Sequence, residues 1–450
     1  MKILVLNGSP KGKYSITLQT VKYLEKLYPL HSFSVLDVGQ KIKAFEKDFS
    51  QAKEELEKAE MLLFCYPVYT FIAPYQLHRF IELVKESGID LCGKYATQIT
   101  TSKHFYDVTA HKYIEENCAD LGLSYIRGLS ADMDDLLTEQ GRADARAFFE
   151  HLMFAAENGL VEKVDSKKRS CPFEGVSVSV PEAMGEKNDR QVVVVTNCEK
   201  NDTKLSAMIS RFSAVCREKV RVVNILDFPF SGGCLGCFNC ATDGKCVYKD
   251  GFDSFLRNDI QTASSIVYAF RIKDHSMGAS FKLYDDRQFC NGHRTVTMGS
   301  PVGYIVCGNY ENEQNLKMIV EGRAQVGGNY LCGVATDEID ADGAIDRLCT
   351  NLTYALDNKL TAPKNFYGVG GMKIFRDLIW TMQGMMKADH KFYKKHKQYD
   401  FPQKNRGTML KMYLVGALIS SPKIRAKMGN KMNEGMLAPY KKLLDSINIK

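Results

Sequence analysis

Apolar and polar positions along the first 160 residues fall into two alternating rhythms. Short runs such as "KILVLN", "HSFSVLDV", "MLLFCYP", "YATQITT" and "LSYIRG" read as strands. Between them, "SITLQTVKYLEKL", "EKDFSQAKEELEKAE", "PYQLHRFIELVKES", "AHKYIEENCADLG" and "EQGRADARAFFEHLMFAAENG" carry helical spacing. Pro74 stands at the first turn of the third of these helices, where its missing N–H costs nothing. Strands alternating with helices in this way predict a parallel sheet covered on both faces.

From 161 to 190 the pattern lapses into a charged, Gly- and Pro-containing stretch that reads as a linker. The alternation then restarts with strand "QVVVVTN", helix "TKLSAMISRFSAVCREK", strand "RVVNIL", a cysteine-rich loop, helix "FDSFLRNDIQTA" and strand "SSIVYAF". Strand "GYIVCG", helix "NEQNLKMIVEG", strand "YLCGVA" and helix "GAIDRLCTNLTYALDN" complete it. The expectation is two tandem doubly wound α/β domains, 1–160 and 191–360, followed by a helical extension over 361–450. In that extension Phe375, Leu378, Met382 and Met385 keep helical spacing and predict a packing face.

Composition narrows the class. The chain has 450 residues, 45% hydrophobic and 25% charged, as expected of a globular protein. Its start lacks the cationic head and cleavage site of a secretory signal, so a cytoplasmic location is expected. The longest tail run, Met412 to Ile419, is too short to span a bilayer, and no transmembrane segment is expected. Residues 361–450 hold 18 Lys+Arg against 5 Asp+Glu, which makes this part strongly basic. Such a surface can steer an acidic ferredoxin or flavodoxin, rest peripherally on anionic lipid, or simply be solvated, while the apolar stripe is expected to pack on the sheet domains or on a second subunit of a homo-oligomer. No nucleic-acid-binding module is recognisable.

In an open parallel sheet, ligands bind beyond the carboxyl ends of the strands near the switch in strand order. The first such loop, "NGSPKGKYSIT", turns at Gly8 into a helix whose N–H groups and dipole favour a phosphate. It is neither G-x-G-x-x-G nor a P-loop. Together with "YPVYTFIAPYQLHRFIE" it resembles the flavodoxin-like NADPH-dependent FMN reductases, with Ile16 and Tyr66 departing from the family pattern. The resemblance implies that Ser9, Lys11, Ser15 and Thr17 hold the FMN phosphate, while Pro67, Val68, Tyr69, Thr70 and Phe71 border the isoalloxazine. By position, Thr101 and Ser102 line the other edge, and His104 is a candidate acid or base.

Fourteen cysteines in a chain of this length suggest free thiols or metal ligands, and four cluster as C-x2-C-x2-C-x5-C: Cys234, Cys237, Cys240 and Cys246. Zinc sites usually split two C-x2-C pairs, whereas three thiols in a C-x2-C-x2-C run are an iron–sulfur habit. Zinc, a cluster and an empty or thiol-redox loop all stay open on spacing alone. With "KCVYKDGFDSF", the motif resembles the iron–sulfur flavoproteins of the same family, which implies a 4Fe-4S cluster. In single-domain relatives, dimerisation brings cluster and flavin together, so the expectation here is a pseudo-dimer with FMN on the first domain and the cluster on the second. The loop "TNCEKNDTKL" leaves a second flavin on Asn201 and Thr203 open, and with it the part played by Cys198. The function expected is an FMN oxidoreductase drawing on NAD(P)H or ferredoxin and serving a quinone, nitro compound, enone or oxygen species. The alternatives are a cluster-free flavin or quinone reductase and a non-catalytic redox sensor or carrier.

Overall fold

The computed structural model describes residues 1–103, 106–162, 173–183, 185–363, 365–399 and 405–447. The chain divides into two compact units, Met1–Ser170 with Pro422–Lys450, and Cys171–Ser421. Both are α/β with parallel sheets flanked by helices, and the C-terminal region is helical.

In the first unit the elements run β1 (Lys2–Asn7), α1 (Ile16–Leu27), β2 (Ser32–Leu36), α2 (Val38–Phe45), α3 (Ser50–Lys58) and β3 (Met61–Pro67). They continue with α4 (Tyr75–Glu86), β4 (Tyr95–Ser102), α5 (Val108–Asp120), β5 (Ser124–Tyr125), β6 (Leu129–Asp132) and α6 (Glu139–Glu157). Strand order is β2-β1-β3-β4-β5, with β6 also pairing β4, and every pairing is parallel. The sheet buries one set of side chains, among them Ile3, Val5, Leu63 and Ile99, with Leu18, Val21 and Leu24 of α1 and Phe149 and Leu152 of α6. Each fully buried aliphatic of this kind contributes about 1.5–3 kcal/mol.

The second unit has β7 (Asn188–Thr196), α7 (Thr203–Val215), β8 (Glu218–Asn224), α8 (Asn239–Asp243), α9 (Phe252–Phe255), β9 (Ser265–Arg271) and α10 (Gly278–Arg287). These are followed by β10 (Val302–Cys307), α11 (Gln314–Val326), β11 (Leu331–Thr336), α12 (Ala341–Asp357), α13 (Phe366–Thr381), α14 (Lys387–Lys395) and α15 (Arg406–Ile419). Its sheet order, β11-β10-β9-β7-β8, repeats the switch of the first, with the strand after the first crossover on the far side.

The tail does not stand apart as one body. Helices α13 to α15 belong to the second unit, while α16 (Pro422–Met428) and α17 (Lys431–Asp445) belong to the first. There Tyr440 and Leu444 join the first core, and Lys26 Nζ donates to the Leu444 carbonyl at 2.7 Å. No helix among the described residues is long and apolar enough to cross a membrane.

Three local differences from the sequence reading have physical causes. Helix α10 fills a charged stretch to which the sequence pattern assigns no element, because its charges are buried in pairs: Lys282 lies 2.8 Å from Asp285 and 2.5 Å from Asp286. Helix α7 stops at Cys216, and Glu218 opens β8 instead, its buried carboxylate held by Arg190 at 2.8 Å. The described part of the 161–190 linker is tied down, with Val176 N donating to Asp337 O at 2.7 Å and Ser179 N to Asp342 at 3.0 Å.

Candidate functional site

Beyond β1 the chain makes a tight sequence of turns. Gly8 N donates to Cys65 O at 2.9 Å, Ser9 N to Asn7 Oδ1 at 3.3 Å and Lys11 N to Ser9 Oγ at 3.3 Å. A 3-10 turn over Gly12–Tyr14 then delivers Ser15 as the N-cap of α1, its hydroxyl accepting from Leu18 N at 3.4 Å. The remaining first-turn N–H groups have no intrahelical partner, the arrangement that suits an anion. Gly39 of α2 backs this loop so closely that a Cβ there would stand 2.2 Å from the Ser9 carbonyl oxygen.

Beyond β3, Tyr69 and Ile72 exchange N–H···O bonds of 2.8 and 3.2 Å, closing a two-residue turn. Its central residues, Thr70 and Phe71, have φ of 51° and 74°. Turns of this mirror-image type normally use Asn-Gly, and a non-glycine residue in the left-handed region costs about 1–2 kcal/mol. The surroundings hold it there: Thr109 Oγ1 donates to Phe71 O at 2.5 Å. Strain of this kind concentrates at functional sites.

At the carboxyl end of β4, one residue joins both loops. The Thr101 hydroxyl lies 2.6 Å from the Thr17 hydroxyl, and the Thr101 carbonyl accepts from Val68 N at 3.0 Å. Ser9, Ser15, Thr17, Val68 and Thr101 are thus gathered at the carboxyl end of one sheet, at its switch point. The Ser102 hydroxyl beside them is buried and without a hydrogen-bond partner among the described residues, so the edge has donor capacity to spare for a ligand. Tyr66, which departs from the family pattern, turns away: its hydroxyl donates to Gln98 Oε1 at 2.6 Å inside the fold. His104 lies outside the described residues.

The second unit repeats the turn and closes the phosphate position. Lys273 and Ser276 exchange bonds of 2.9 and 3.0 Å around Asp274 and His275, whose φ values are 52° and 62°. Ile272 N donates to Cys307 O at 2.9 Å, as Val68 does to Thr101. At the start of α7, however, the cap is Asp202, which accepts from Leu205 N at 3.0 Å and from Arg271 at 2.6 and 2.5 Å. Burial pushes this carboxyl up, but the Arg271 and Leu205 bonds outweigh it and hold it below the usual range. A carboxylate thus occupies the helix terminus where a phosphate would sit, and Asn201 and Thr203 flank it. The Cys198 thiol points into the same loop, 3.6 Å from Asp202 O.

The cysteine loop lies between β8 and β9. Gly236 and Phe238 both have positive φ, 60° and 61°, and fold the loop back on itself. Cys234 Sγ accepts from Gly236 N at 3.5 Å, Cys240 Sγ donates to Phe289 O at 2.9 Å, and Arg287 Nη2 stands 3.9 Å from Cys246 Sγ. The side chains are near enough to feel one another: burial first, then Cys237, push the Cys240 thiol up to about 12. Among the described residues, no three of these sulfurs lie within 4.8 Å of one another. That is wider than the roughly 3.8 Å edge of a zinc tetrahedron with ~2.3 Å Zn–S bonds.

Arg287, 1% exposed, pairs with Asp250 at 2.8 Å, donates to Gly232 O at 2.9 Å and stacks over Tyr248 at 4.5 Å. A buried guanidinium beside thiols suits a negatively charged centre. The loop is also covered by the tail helices, where Ala241 and Phe238 pack with Phe375, Ile379, Met382, Met386 and Tyr393. Asp389 of α14 clamps Arg294 at 2.8 Å, and Arg294 donates to the Cys240 carbonyl at 3.1 Å.

Sequence spacing missed a fifth thiol. Cys290 lies in the turn after α10, and its carbonyl accepts from Arg257 at 2.8 Å and Arg294 at 3.1 Å. Burial pushes it up to about 12, Arg257 opposing and Cys246 adding. It stands some forty residues from the motif, and only its place beside α10, itself hidden from periodicity, brings it there.

Residues 1–133 match the family model of the flavodoxin-like fold. No curated protein matches the chain. Among solved structures, an FMN-dependent NADH-azoreductase from Bacillus anthracis in complex with FMN is similar at 14% identity and TM-score 0.26, covering 36% of this chain and 99% of its own. General stress protein 14 from Treponema denticola in complex with FMN is similar at 13% identity and TM-score 0.28, covering 34% and 97%. An NAD(P)H:quinone oxidoreductase from Methanothermobacter marburgensis is similar at 14% identity and TM-score 0.26, covering 36% and 97%.

Proposed function

We propose that the protein is an FMN-dependent oxidoreductase whose first unit holds the flavin and whose second unit holds an iron–sulfur cluster on Cys234, Cys237, Cys240 and Cys246. The observation that carries the flavin reading is Thr101, bonded at once to Thr17 of the phosphate loop and Val68 of the turn. In this reading the α1 N-terminus, Ser9, Ser15 and Thr17 bind the phosphate, with Lys11 adding charge. The strained turn from Pro67 to Phe71 presents backbone groups to the ring edge, and Thr101 and Ser102 bound the other side. Bound FMN supplies hydride acceptance and single-electron release, and a cluster supplies single-electron transfer. The chain's own work is to orient these groups and to hold the thiols, with Arg287 offsetting their charge.

The donor is NAD(P)H or a reduced ferredoxin, and the acceptor a small quinone, nitro compound, enone or oxygen species. A cluster-free NAD(P)H reductase is the second reading, favoured by the Cys240 thiol already donating to Phe289 O. Anaerobic purification with flavin, iron and acid-labile sulfide analysis separates them: broad absorption near 400 nm lost in C237S supports the cluster, while a bare flavin spectrum supports the second reading. Steady-state assays with NADPH, NADH and reduced ferredoxin test turnover itself. Absence of multiple turnover with every donor would leave a sensor or carrier and defeat the enzyme assignment.

A further inference from the structure

Helix α15 presents the wrong face to water for an ordinary surface helix. Leu410, Leu414 and Leu418 are 64%, 67% and 62% exposed, and Tyr413 is 46% exposed. With Ala417 they recur at i, i+3, i+4, i+7 and i+8, which places them on one side of the helix. Exposed apolar residues scattered singly need no explanation, but a contiguous stripe does.

The stripe does not result from a loosely attached helix. The opposite side is fixed: Gly416 lies so close to α13 and its following turn that a Cβ would stand 1.7 Å from the Gly384 carbonyl oxygen. Lys387 Nζ donates to Gly416 O at 3.1 Å on that side, and at the edge of the stripe the Tyr413 hydroxyl donates to Gln383 Oε1 at 2.7 Å. Met412 and Ile419 fall on that same side, half-buried and buried. A helix anchored through one face thus holds a second apolar face out.

Charge selects what that face meets. Arg406 and Lys411 are the only charged residues of α15, and Lys411 borders the stripe. No Asp or Glu occurs from Arg406 to Asn433, and residues 366–421 hold ten Lys+Arg against three Asp. Fourteen residues make a helix of roughly 21 Å, too short to cross a bilayer but suited to lying along one. We infer that α15 is a docking face for an anionic lipid surface, its leucines entering the headgroup boundary and its cations pairing with acidic headgroups. This is independent of which cofactors the chain binds.

The test is co-sedimentation of the full-length protein with phosphatidylcholine vesicles and with vesicles one-quarter phosphatidylglycerol. Expected is pelleting with the anionic vesicles, lost in 0.5 M NaCl and weakened at least tenfold in the double variant L414S/L418S. K411Q should lower partitioning roughly fivefold, as one juxtamembrane cation is worth about 1 kcal/mol. All three positions are exposed, so melting temperatures should stay unchanged and report an intact fold. No pelleting, or equal pelleting with neutral vesicles, overturns the inference. So does a concentration-dependent dimer, seen by sedimentation equilibrium, that L414S/L418S converts to monomer, because the stripe would then meet a second copy of the chain.

Discussion

Replacing Gly39 with alanine tests the phosphate loop without replacing any residue expected to bind. A Cβ at this position would meet Ser9 O at 2.2 Å, Ser9 C at 2.3 Å and Pro10 N at 2.7 Å, all backbone atoms. Ordinary contact is near 3.4 Å, so loop or helix must yield by about 1 Å, and overpacking of this kind costs about 1–3 kcal/mol. Helix α2 is held by its packing on α4, with Phe45 in ring contact with Phe80 at 5.9 Å, so the loop is the part that moves. The perturbation reaches Ser9 directly, Gly12 through its 3.1 Å bond to Ser9 O, and Ser15 through its 2.9 Å bond to Gly12 O. If binding bears most of the cost, FMN affinity falls roughly 10- to 100-fold. Quenching of flavin fluorescence on titrating apoprotein gives the Kd. Gly435→Ala, which meets nothing within 4 Å, is the comparator. An affinity within threefold of wild type in a variant that melts cooperatively would refute the placement of the phosphate on this loop.

Other expectations follow from the same geometry. Asp250→Ala strands Arg287, a buried cation, and should lower stability by about 3–5 kcal/mol in urea titration. Burial pushes the Asp250 carboxyl up but Arg287 pulls it down to about 2, so this pair's stabilisation is complete above the ordinary carboxylate range and is lost as pH falls through about 2. Acid unfolding of wild type and D250N should converge at the low end; parallel curves would contradict that. Lys359, with φ of 50° just past the end of α12, should gain about 1 kcal/mol as glycine, read as a rise in urea midpoint. Because Asp202 and Arg271 fill the second helix terminus, flavin analysis should return one FMN per chain, and a value of two would contradict the contrast between the units.

Much of this was legible in the residues. The strand runs from Lys2, Met61 and Gln191 are apolar enough that no other environment suits them, and Gly8, Pro74 and the cysteine spacing mark their own turns. What stayed hidden was whatever depends on pairing across distance. Helix α10 shows no apolar stripe because Lys282, Asp285, Asp286 and Arg287 are buried against partners rather than set out in water. The turn at Asp274 and His275 has no Asn-Gly signal, and the His275 side chain is held from outside by Glu313, 3.0 Å from Nδ1. Thr101 was legible by position as a lining residue, but not as the link between the two loops, which needs its two partners in view. The tail was expected to pack somewhere; that α13 and α14 cover the cysteine loop required knowing where Ala241 and Phe238 face.

That cover has a consequence for biogenesis. The ribosome releases Cys234 to Cys246 well over a hundred residues ahead of Ile379, Met386 and Tyr393, so the thiols emerge while nothing yet shields them. A reagent that reaches these thiols during synthesis meets an open loop; afterwards it meets one that α13 and α14 cover. Chains truncated before Phe366 should therefore be alkylated at these cysteines faster than finished ones.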